Sequence, residues 1–299
     1  MIRQPNQRQA VRVTVGIPFY NAESTLLEAI RSVFAQTLSD WELILLDDGS
    51  TDRSLKIAQS ISDSRVTVRT SSSNQGLVWS LNEISQMARG EYLARMDADD
   101  LMHPQRLERQ LQFLDTHPAV QVIGSGVYVI DAAGRPNGIR GQHPPDTAPA
   151  SVLTRNLIIH PTITGRTAWF RSNPYDASYP RAEDHELWCR TCKQTSFGHI
   201  AEPLMLVRNA ASGNVRKYAE TCRSDRRIFR KYGPAHLGRM RTAAMMAGAY
   251  AKPLVYALLT RMSLESRLLG LRNASISKEQ MRAANAVLQS IASVDVPRV

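Results

Sequence analysis

The sequence has little of what marks an exported or membrane-spanning protein. Its three cysteines, Cys189, Cys192 and Cys222, are an odd number, which fits reduced thiols better than a disulfide framework. No stretch approaches the roughly eighteen apolar residues of a membrane-spanning helix. Residues 1–9 lack the apolar centre of a signal peptide and lead directly into a predicted strand. These absences predict a cytoplasmic protein.

Hydrophobic patterning predicts an α/β fold. Four short segments rich in β-branched or aromatic residues, at 11–18, 41–46, 66–68 and 92–96, are typical of buried strands. Segments 26–34, 55–61 and 77–87 have apolar residues at helical spacing, Ser50 or Thr51 is expected to cap the second of these helices, and another helix is expected from Pro104 to about Thr116. Residues 128–156, rich in glycine and proline, are expected to form mainly loops. Alternating strands and helices predict a mostly parallel sheet with helices on both faces.

Two acidic clusters follow the second and fourth predicted strands. Residues 47–52 read Asp-Asp-Gly-Ser-Thr-Asp, and residues 97–100 read Asp-Ala-Asp-Asp. Ligands of open α/β sheets bind beyond the carboxyl ends of the strands, so both clusters are expected to border one site. Asp100 is interpreted mainly as a cap of the helix that follows. Because carboxylates are ligands of hard divalent cations, the pattern favours a nucleotide with its metal ion.

The positive charge is confined to the C-terminal part of the chain. Residues 1–214 hold 21 Lys+Arg against 22 Asp+Glu, whereas residues 215–299 hold 16 against 5. We interpret 215–299 as a basic helical region. Such a region can bind anionic headgroups, a lipid pyrophosphate or nucleic acid, or it can be a solvated helical bundle. Its most apolar part, residues 242–259, is interpreted as an interfacial rather than a spanning helix because Lys252 and Pro253 interrupt it.

A series of motifs over about the first 210 residues resembles one enzyme family. The motifs are Thr-Val-Gly-Ile-Pro-Phe-Tyr-Asn at 14–21, Leu-Asp-Asp-Gly-Ser-Thr-Asp at 46–52, Asn-Gln-Gly at 74–76 and Arg-Gly-Glu-Tyr-Leu-Ala-Arg-Met-Asp-Ala-Asp-Asp at 89–100. Together they resemble the family 2 glycosyltransferases. The resemblance implies the GT-A nucleotide-diphospho-sugar transferase fold, a Rossmann-like mostly parallel sheet. It divides the chain into a transferase domain, 1–214, with a nucleotide-binding half to about 125 and an acceptor half from about 126, and the C-terminal extension, 215–299.

The resemblance also implies which residues bind the donor. Pro18, Tyr20 and Glu23 match positions of a nucleoside pocket, although Tyr20 can equally pack in a core. Asp48 matches the residue that accepts a hydrogen bond from the uracil imide, and Asn74 belongs to a loop beside the nucleotide.

A second set of implied residues concerns the metal ion and the chemistry. Asp97 matches a ligand of ribose or metal and Asp99 a ligand of Mn²⁺ or Mg²⁺, which neutralises the leaving diphosphate. Asp184, in an Arg-Ala-Glu-Asp-His-Glu-Leu-Trp motif at 181–188, matches the general base of an inverting transfer. Glu183, Trp188 and His160 are further candidates for the acceptor site, with a core position as the other reading of Trp188.

The implied reaction is transfer of one sugar, with a UDP-hexose as the commonest donor and a glycan or lipid-linked acceptor of bacterial surface polysaccharide synthesis. The Gln-x-x-Arg-Trp motif of processive members does not occur in the sequence. A sugar-1-phosphate nucleotidyltransferase should instead begin with a glycine-rich phosphate loop, where this chain has residues 18–21. A sugar-nucleotide binder without activity would not need Asp184. Binding to nucleic acid is not expected because the acidic clusters would repel phosphates. Location on the inner face of the cell membrane, held by residues 215–299, remains a hypothesis.

Overall fold

The computed structural model describes residues 11–155, 157–209, 215–262 and 274–299. The expected domain boundary near residue 214 therefore lies outside the described residues. The strands in these ranges are β1 Val13–Phe19, β2 Trp41–Asp47, β3 Val66–Thr70, β4 Tyr92–Arg95, β5 Leu101–Met102, β6 Val120–Ile130, β7 Pro136–Arg140, β8 Thr164–Arg166 and β9 Ser196–Arg208. The helices are α1 Leu26–Phe34, α2 Ser54–Gln59, α3 Leu77–Met87, α4 Arg106–Thr116, α5 Pro149–Thr154, α6 Thr167–Ser172, α7 Glu183–Thr191, α8 Val215–His236, α9 Arg239–Arg261 and α10 Lys278–Ala292.

The described strands form one mixed sheet in the order β3-β2-β1-β4-β8-β6-β9-β5, with β7 paired to β6. The four strands expected from the sequence are parallel neighbours, whereas β8 runs antiparallel to both β4 and β6. Phe19 of β1 lies beside Asp47 of β2, and Gly16 lies beside Arg95 of β4. The carboxyl ends of β1, β2 and β4 consequently meet at one edge of the sheet, where the two acidic clusters begin.

The helices cover both faces of the sheet through their apolar sides. Helix α4 buries Leu107, Leu111 and Leu114 against β1 and its neighbours, in agreement with the helical spacing of these leucines. Residues of α3, α5, α6 and α7 form a second core on the other face, together with Ile228 and Phe229 of α8. Two layers of helices around a buried sheet are thus present as expected.

The described helices of the C-terminal region pack against the rest of the chain. Helix α8 contacts α5 and α7, and α10 contacts α1 and β7. The final residues also return to the sheet domain, since the backbone N–H of Val299 donates to the carbonyl oxygen of Ser60 at 2.9 Å. No helix within the described ranges is both long enough and apolar enough to cross a membrane. The described part of this region is helical as expected.

Two local expectations were wrong. Neither Ser50 nor Thr51 caps α2, which begins at Ser54, because the Ser50 hydroxyl accepts the backbone N–H of Asn21 instead. Asp100 does not cap α4, because one of its carboxylate oxygens accepts the backbone N–H of Arg208 in β9 at 2.8 Å. The described part of segment 128–156 is rich in loops as expected, and it also contains the end of β6, all of β7 and helix α5.

The close pairing of β1 with β4 is predicted to require glycine at position 90. A Cβ atom there would meet the backbone nitrogen of Thr14 and lie only 2.7 Å from the carbonyl carbon of Val13. Gly90→Ala should therefore lower the free energy of unfolding by about 1–3 kcal/mol, because backbone atoms cannot yield as side chains do. Urea denaturation measures the loss.

Gly248→Ala in α9 is the matched control. A Cβ atom at Gly248 would have no atom within 4 Å, so alanine should raise stability slightly through helix propensity, by about 0.5–1 kcal/mol. Equal midpoints for the Gly90→Ala variant and the unmodified chain would show that the backbone at β1 and β4 can separate.

Candidate active site

A cavity of about 220 Å³ opens at the carboxyl ends of β1 and β2. Tyr20 is 48% exposed, so its ring is free to stack on a planar group and is not a core residue. The cavity is lined by Pro18, Phe19, Tyr20, Asp48, Asn74, Gly76 and Leu77. Four of the five residues expected around a nucleoside, Pro18, Tyr20, Asp48 and Asn74, therefore come together here.

Asp48 fixes the loop that forms the far wall of this cavity. Its two carboxylate oxygens accept the backbone N–H groups of Gln75 and Gly76 at 2.7 and 2.8 Å. The next residue, Gly49, has a φ of +75°, and a Cβ atom there would lie 2.7 Å from the carbonyl carbon of Ser73. Each oxygen of Asp48 keeps a further lone pair, so the carboxylate can still accept a hydrogen bond from a ligand.

Glu23 lies outside this cavity. Its carboxylate accepts the backbone N–H and the side-chain Nε–H of Arg53, at 3.0 and 3.1 Å. These bonds hold the pKa of Glu23 below its usual value. Glu23 therefore orders the start of α2, and the structure does not place it among the residues that line the nucleoside cavity.

A larger cavity of about 550 Å³ shares Gly76 and Leu77 with the first one. It runs from the loop at Gly76 across the end of β4 to the start of α7, and Thr221 of α8 forms part of its wall. Its lining residues are Gln75, Gly76, Leu77, Val78, Arg95, Asp97, Ala177, Pro180, Arg181, Glu183, Asp184 and Thr221. Together the two adjoining cavities are called the cleft, which is lined by Asp48 at one end and by Asp184 at the other.

The second acidic cluster is suited to a divalent cation. Oxygen atoms of Asp97, Asp99 and Asp100 all lie within 4.8 Å of one another. Oδ2 of Asp100 is buried and has no hydrogen-bond partner. Burial, followed by the charge of Asp97, raises the pKa of Asp99 and raises that of Asp100 well above its usual value. Uncompensated carboxylate oxygens of this kind are the preferred ligands of Mg²⁺ and Mn²⁺.

Arg95, a residue that the sequence reasoning did not single out, joins the parts of the site. Its guanidinium is almost fully buried and donates to both oxygens of Asp97, at 2.6 and 2.9 Å. Its charge also opposes the pKa rises of Asp99, Asp100 and Asp184. A signal was available, because an arginine ending an otherwise apolar strand requires a buried partner.

Glu183 and Asp184 occupy the first turn of α7, at the opposite end of the larger cavity. Burial, and then the charge of Asp184, raises the pKa of Glu183 to about 7. Burial also raises the pKa of Asp184. The backbone N–H of His185, which donates to Asp184 Oδ1 at 2.7 Å, has the opposite effect on this pKa. Glu183 can hence carry a proton near neutral pH, while Asp184 faces the cavity as a potential proton acceptor.

Two acceptor candidates do not reach the cleft. Trp188 is fully buried in the core that α7 shares with α8, which agrees with the core position that was its other reading. His160 is also buried, and its Nε2 lies 2.9 Å from the hydroxyl of Tyr175. Burial and the nearby charge of Arg95 hold the pKa of His160 well below its usual value. His160 contacts Tyr175 behind the cavity walls and does not line either cavity.

Comparison with known proteins agrees with this geometry. A family described as glycosyl transferase family 2 matches residues 14–176, more than half of the chain. The putative glycosyltransferase EpsE of Bacillus subtilis is 37% identical over 212 residues, which are 68% of this chain and 74% of EpsE. The UDP-Glc:alpha-D-GlcNAc-diphosphoundecaprenol beta-1,3-glucosyltransferase WfgD of Escherichia coli is 27% identical over 68% of this chain and 80% of WfgD.

Solved structures show the same fold. The UDP complex of residues 1–349 of S. aureus TarS matches 94% of this chain and 80% of its own, with a TM-score of 0.59 and 18% identity. The mannosyltransferase PcManGT of Pyrobaculum calidifontis, solved with GDP-Man and Mn²⁺, matches 94% and 86% of the two chains, with a TM-score of 0.55 and 17% identity. The fold is of the GT-A type.

The two bonds to Asp48 predict how the loop at Gln75 and Gly76 is held. In Asp48→Asn only one side-chain oxygen remains, and the amide N–H₂ group faces a backbone donor. Backbone amides of Gln75 and Gly76 should then exchange with deuterium about tenfold faster or more, since a charge-assisted bond contributes about 1.5–3 kcal/mol. Hydrogen exchange detected by mass spectrometry gives the rates, with the peptide of α4 as the internal reference. Unaltered exchange in the loop would show that it is held by other contacts.

Proposed function

Because this chain belongs to glycosyl transferase family 2, and is therefore a glycosyltransferase, we propose that it transfers one sugar, with inversion, from a nucleotide-diphosphate donor to a hydroxyl of a glycan or lipid-linked acceptor. The observation that carries this proposal is that two adjoining cavities are lined by Asp48 in the first and by Asp97 and Asp184 in the second. A donor lying along it has its base at one end and its anomeric carbon near α7.

The proposed donor is a uridine-diphosphate hexose. The exposed ring of Tyr20 offers a stacking surface, and the free lone pairs of Asp48 suit the N–H of a uracil imide. Pro18 and Asn74 complete the wall of the cavity. The UDP bound to TarS and the UDP-Glc in the name of WfgD are consistent with this choice.

Asp97 and Asp99 are the proposed ligands of Mn²⁺ or Mg²⁺, with the unpartnered oxygen of Asp100 close by. The cation supplies positive charge that neutralises the diphosphate as it leaves. Arg95 holds Asp97 in place with two hydrogen bonds, which restricts the carboxylate to one orientation before the cation binds.

Asp184 is the proposed general base. The acceptor oxygen forms a bond to the anomeric carbon while the bond from that carbon to the diphosphate oxygen breaks, and its electron pair leaves with the diphosphate. The hydroxyl proton passes to the carboxylate of Asp184. Glu183, whose pKa of about 7 leaves it partly protonated, can donate a hydrogen bond to an acceptor oxygen beside it.

The proposed setting is bacterial surface polysaccharide synthesis at the inner face of the cell membrane, and the diphosphoundecaprenol in the name of WfgD supports a lipid-linked acceptor. The apolar face of α9 fits such a position. Tyr250, Leu254 and Leu258 follow one another at four-residue spacing and are 57%, 75% and 59% exposed. Arg261 follows them in the last turn of α9, as basic residues do in helices that rest on anionic bilayers.

Asp184→Asn tests the assignment of the base. The amide keeps the shape and the bond from the His185 N–H but cannot take the proton, so turnover should fall about 10²- to 10⁴-fold. Release of the nucleotide from a UDP-sugar in the presence of acceptor measures turnover. Isothermal titration with UDP, GDP, CDP and dTDP, each with and without Mn²⁺, should show unchanged nucleotide affinity.

Asp146→Asn provides the matched control, because it changes the same functional group near the start of α5, away from both cavities. It should retain turnover. Wild-type turnover in the Asp184→Asn variant would remove Asp184 from the mechanism, and absence of binding to all four nucleotides would contradict the donor class.

Exposed leucines of α9 give a prediction for membrane contact. The double change Leu254→Glu and Leu258→Glu should lower binding to vesicles of mixed neutral and anionic phospholipid at least about tenfold. The reason is that two leucines inserted into the bilayer contribute several kcal/mol to binding. Co-sedimentation at low and high salt measures binding, which should also weaken with salt. Met281→Glu on α10 is the control. Equal sedimentation of all three proteins would exclude α9 as the membrane surface.

A further inference from the structure

Helix α8 holds the loop that leads into α7. The hydroxyl of Ser224 donates to the carbonyl oxygen of Pro180 at 2.8 Å, and Nη1 of Arg227 donates to that of Ser178 at 2.6 Å. Both carbonyls belong to the short segment before Glu183 and Asp184. Contacts between α8 and this segment therefore set where α7 begins, although α8 lies forty residues further along the chain.

In the same turn of α7, residues of α8 also donate hydrogen bonds to a buried carboxylate. Glu186 is fully buried, and its oxygens accept bonds from Tyr232 at 2.6 Å, Lys231 at 3.3 Å and Arg190 at 3.1 Å. This carboxylate is neutralised within the two helices. It serves the packing of α7 on α8.

His185, the residue after the proposed base, makes the contact of interest. Its Nδ1 lies 3.2 Å from Oδ1 of Asp225 in α8, and its buried Nε2 has no hydrogen-bond partner. The ring packs 6.3 Å from that of Phe229. Burial disfavours a charged imidazole, but the bond to Asp225 and the neighbouring Cys189 raise the pKa of His185 to about 10. The hydrogen bond to Asp225 thus favours the positively charged imidazolium.

The positive charge bears on Asp184 directly. The backbone N–H of His185 donates to the Asp184 carboxylate, and the imidazolium charge opposes the rise that burial causes in the pKa of Asp184. Asp184 must be ionised to accept a proton. A cation beside it keeps it ionised at lower pH than burial alone would allow.

We propose that Asp225 is a positioning residue for the base: through its ion pair with His185 it fixes the first turn of α7 and maintains a cation beside Asp184. The proposal rests on the assignment of Asp184 as the base. It makes α8 part of the catalytic unit, whereas the charge distribution of the sequence assigns it to the C-terminal extension.

Other charged and titratable groups around the pair come from four elements and remain in the variants below. Arg95 at the end of β4 favours the ionised form of Asp184. Glu183 in α7 interacts with Asp184, as does the buried hydroxyl of Tyr175 in the loop before α7. Cys189 of α7 lies near the imidazole, and Cys222 of α8 lies near Asp225. Since these groups stay in place, removal of the Asp225 charge isolates the effect of the pair.

Asp225→Asn tests the proposal through the pH dependence of kcat/KM, measured with saturating Mn²⁺. The neutral amide no longer stabilises the imidazolium, so buried His185 loses its proton and the pKa of Asp184 rises. Activity falls as pH drops through that pKa, so the acid limb of the profile should move to higher pH by about 0.5–1 unit. An unmoved limb in the folded variant would overturn the proposal.

Tyr232→Phe is the matched control. It removes another bond between α7 and α8, the one to Glu186, without changing the charge near Asp184. It should lower stability and leave the acid limb where it is. An equal shift in both variants would mean that α8 acts by packing alone, which also contradicts the proposal.

A measurement on the unmodified protein decides the matter if Asp225→Asn does not fold. The imidazole of His185, assigned by its loss from the NMR spectrum of His185→Gln, should stay protonated to above pH 8. A midpoint near the ordinary value of about 6.5 would overturn the proposal. This titration is independent of turnover: full activity of Asp184→Asn would refute the assignment of the base, whereas an ordinary His185 midpoint would refute only the role of Asp225.

Discussion

The carboxylates of this cleft repel one another, and the structure of the cleft depends on how this repulsion is balanced. Within the described residues, the buried charge of Arg95 is the main group that balances it. The guanidinium is hydrogen-bonded to Asp97, its charge acts on Asp99 and Asp100, and it also interacts with Glu183 and Asp184 of α7. The arginine is fixed by its backbone, because its N–H donates to Ile163 and its carbonyl accepts from Arg106. One buried cation can thus serve carboxylates from two separate parts of the sequence.

Arg106 shows which contacts a buried cation requires. Its guanidinium is fully buried in α4 and donates to the carbonyl oxygens of Arg95 and Ile163, at 2.8 and 3.1 Å, and to the side chain of Gln110 at 3.0 Å. Burial lowers its pKa to about 9. A buried charge is tolerated only when its donors are occupied, and here they bind the two backbone segments that carry β4 and β8. The rigid support of the acidic cluster is therefore itself built from polar contacts.

Much of the fold could be predicted because its signals are local. Short runs of β-branched and aromatic residues identified β1 to β4, and helical spacing identified α1, α3 and α4, nearly to the residue. Because ligands bind beyond the carboxyl ends of the strands, the residues around Asp48 and Asp97 were expected at one edge of the sheet. The remainder depends on contacts between distant segments. The long strands β6 and β9 pair in parallel only after the chain has crossed over, and the glycine and proline residues at 134–138 mark a hairpin that looks like a loop in the sequence. For the same reason, composition could not decide that Trp188 is buried or that Glu23 is hydrogen-bonded to Arg53.

The net charge of the sequence changes at about residue 214, but the segments on either side of this change pack against each other in the structure. Residues 215–299 carry the net positive charge, yet the side chains of α8 that face α7 include the acidic Asp225 beside His185, and Lys231 is used to neutralise buried Glu186. The exposed apolar face belongs instead to α9, which packs on α8. On the proposals made above, α8 connects a membrane-facing helix to the helix of the base. A lipid-linked acceptor held at α9, as proposed, would then lie near α8, which contributes Thr221 to the wall of the larger cavity.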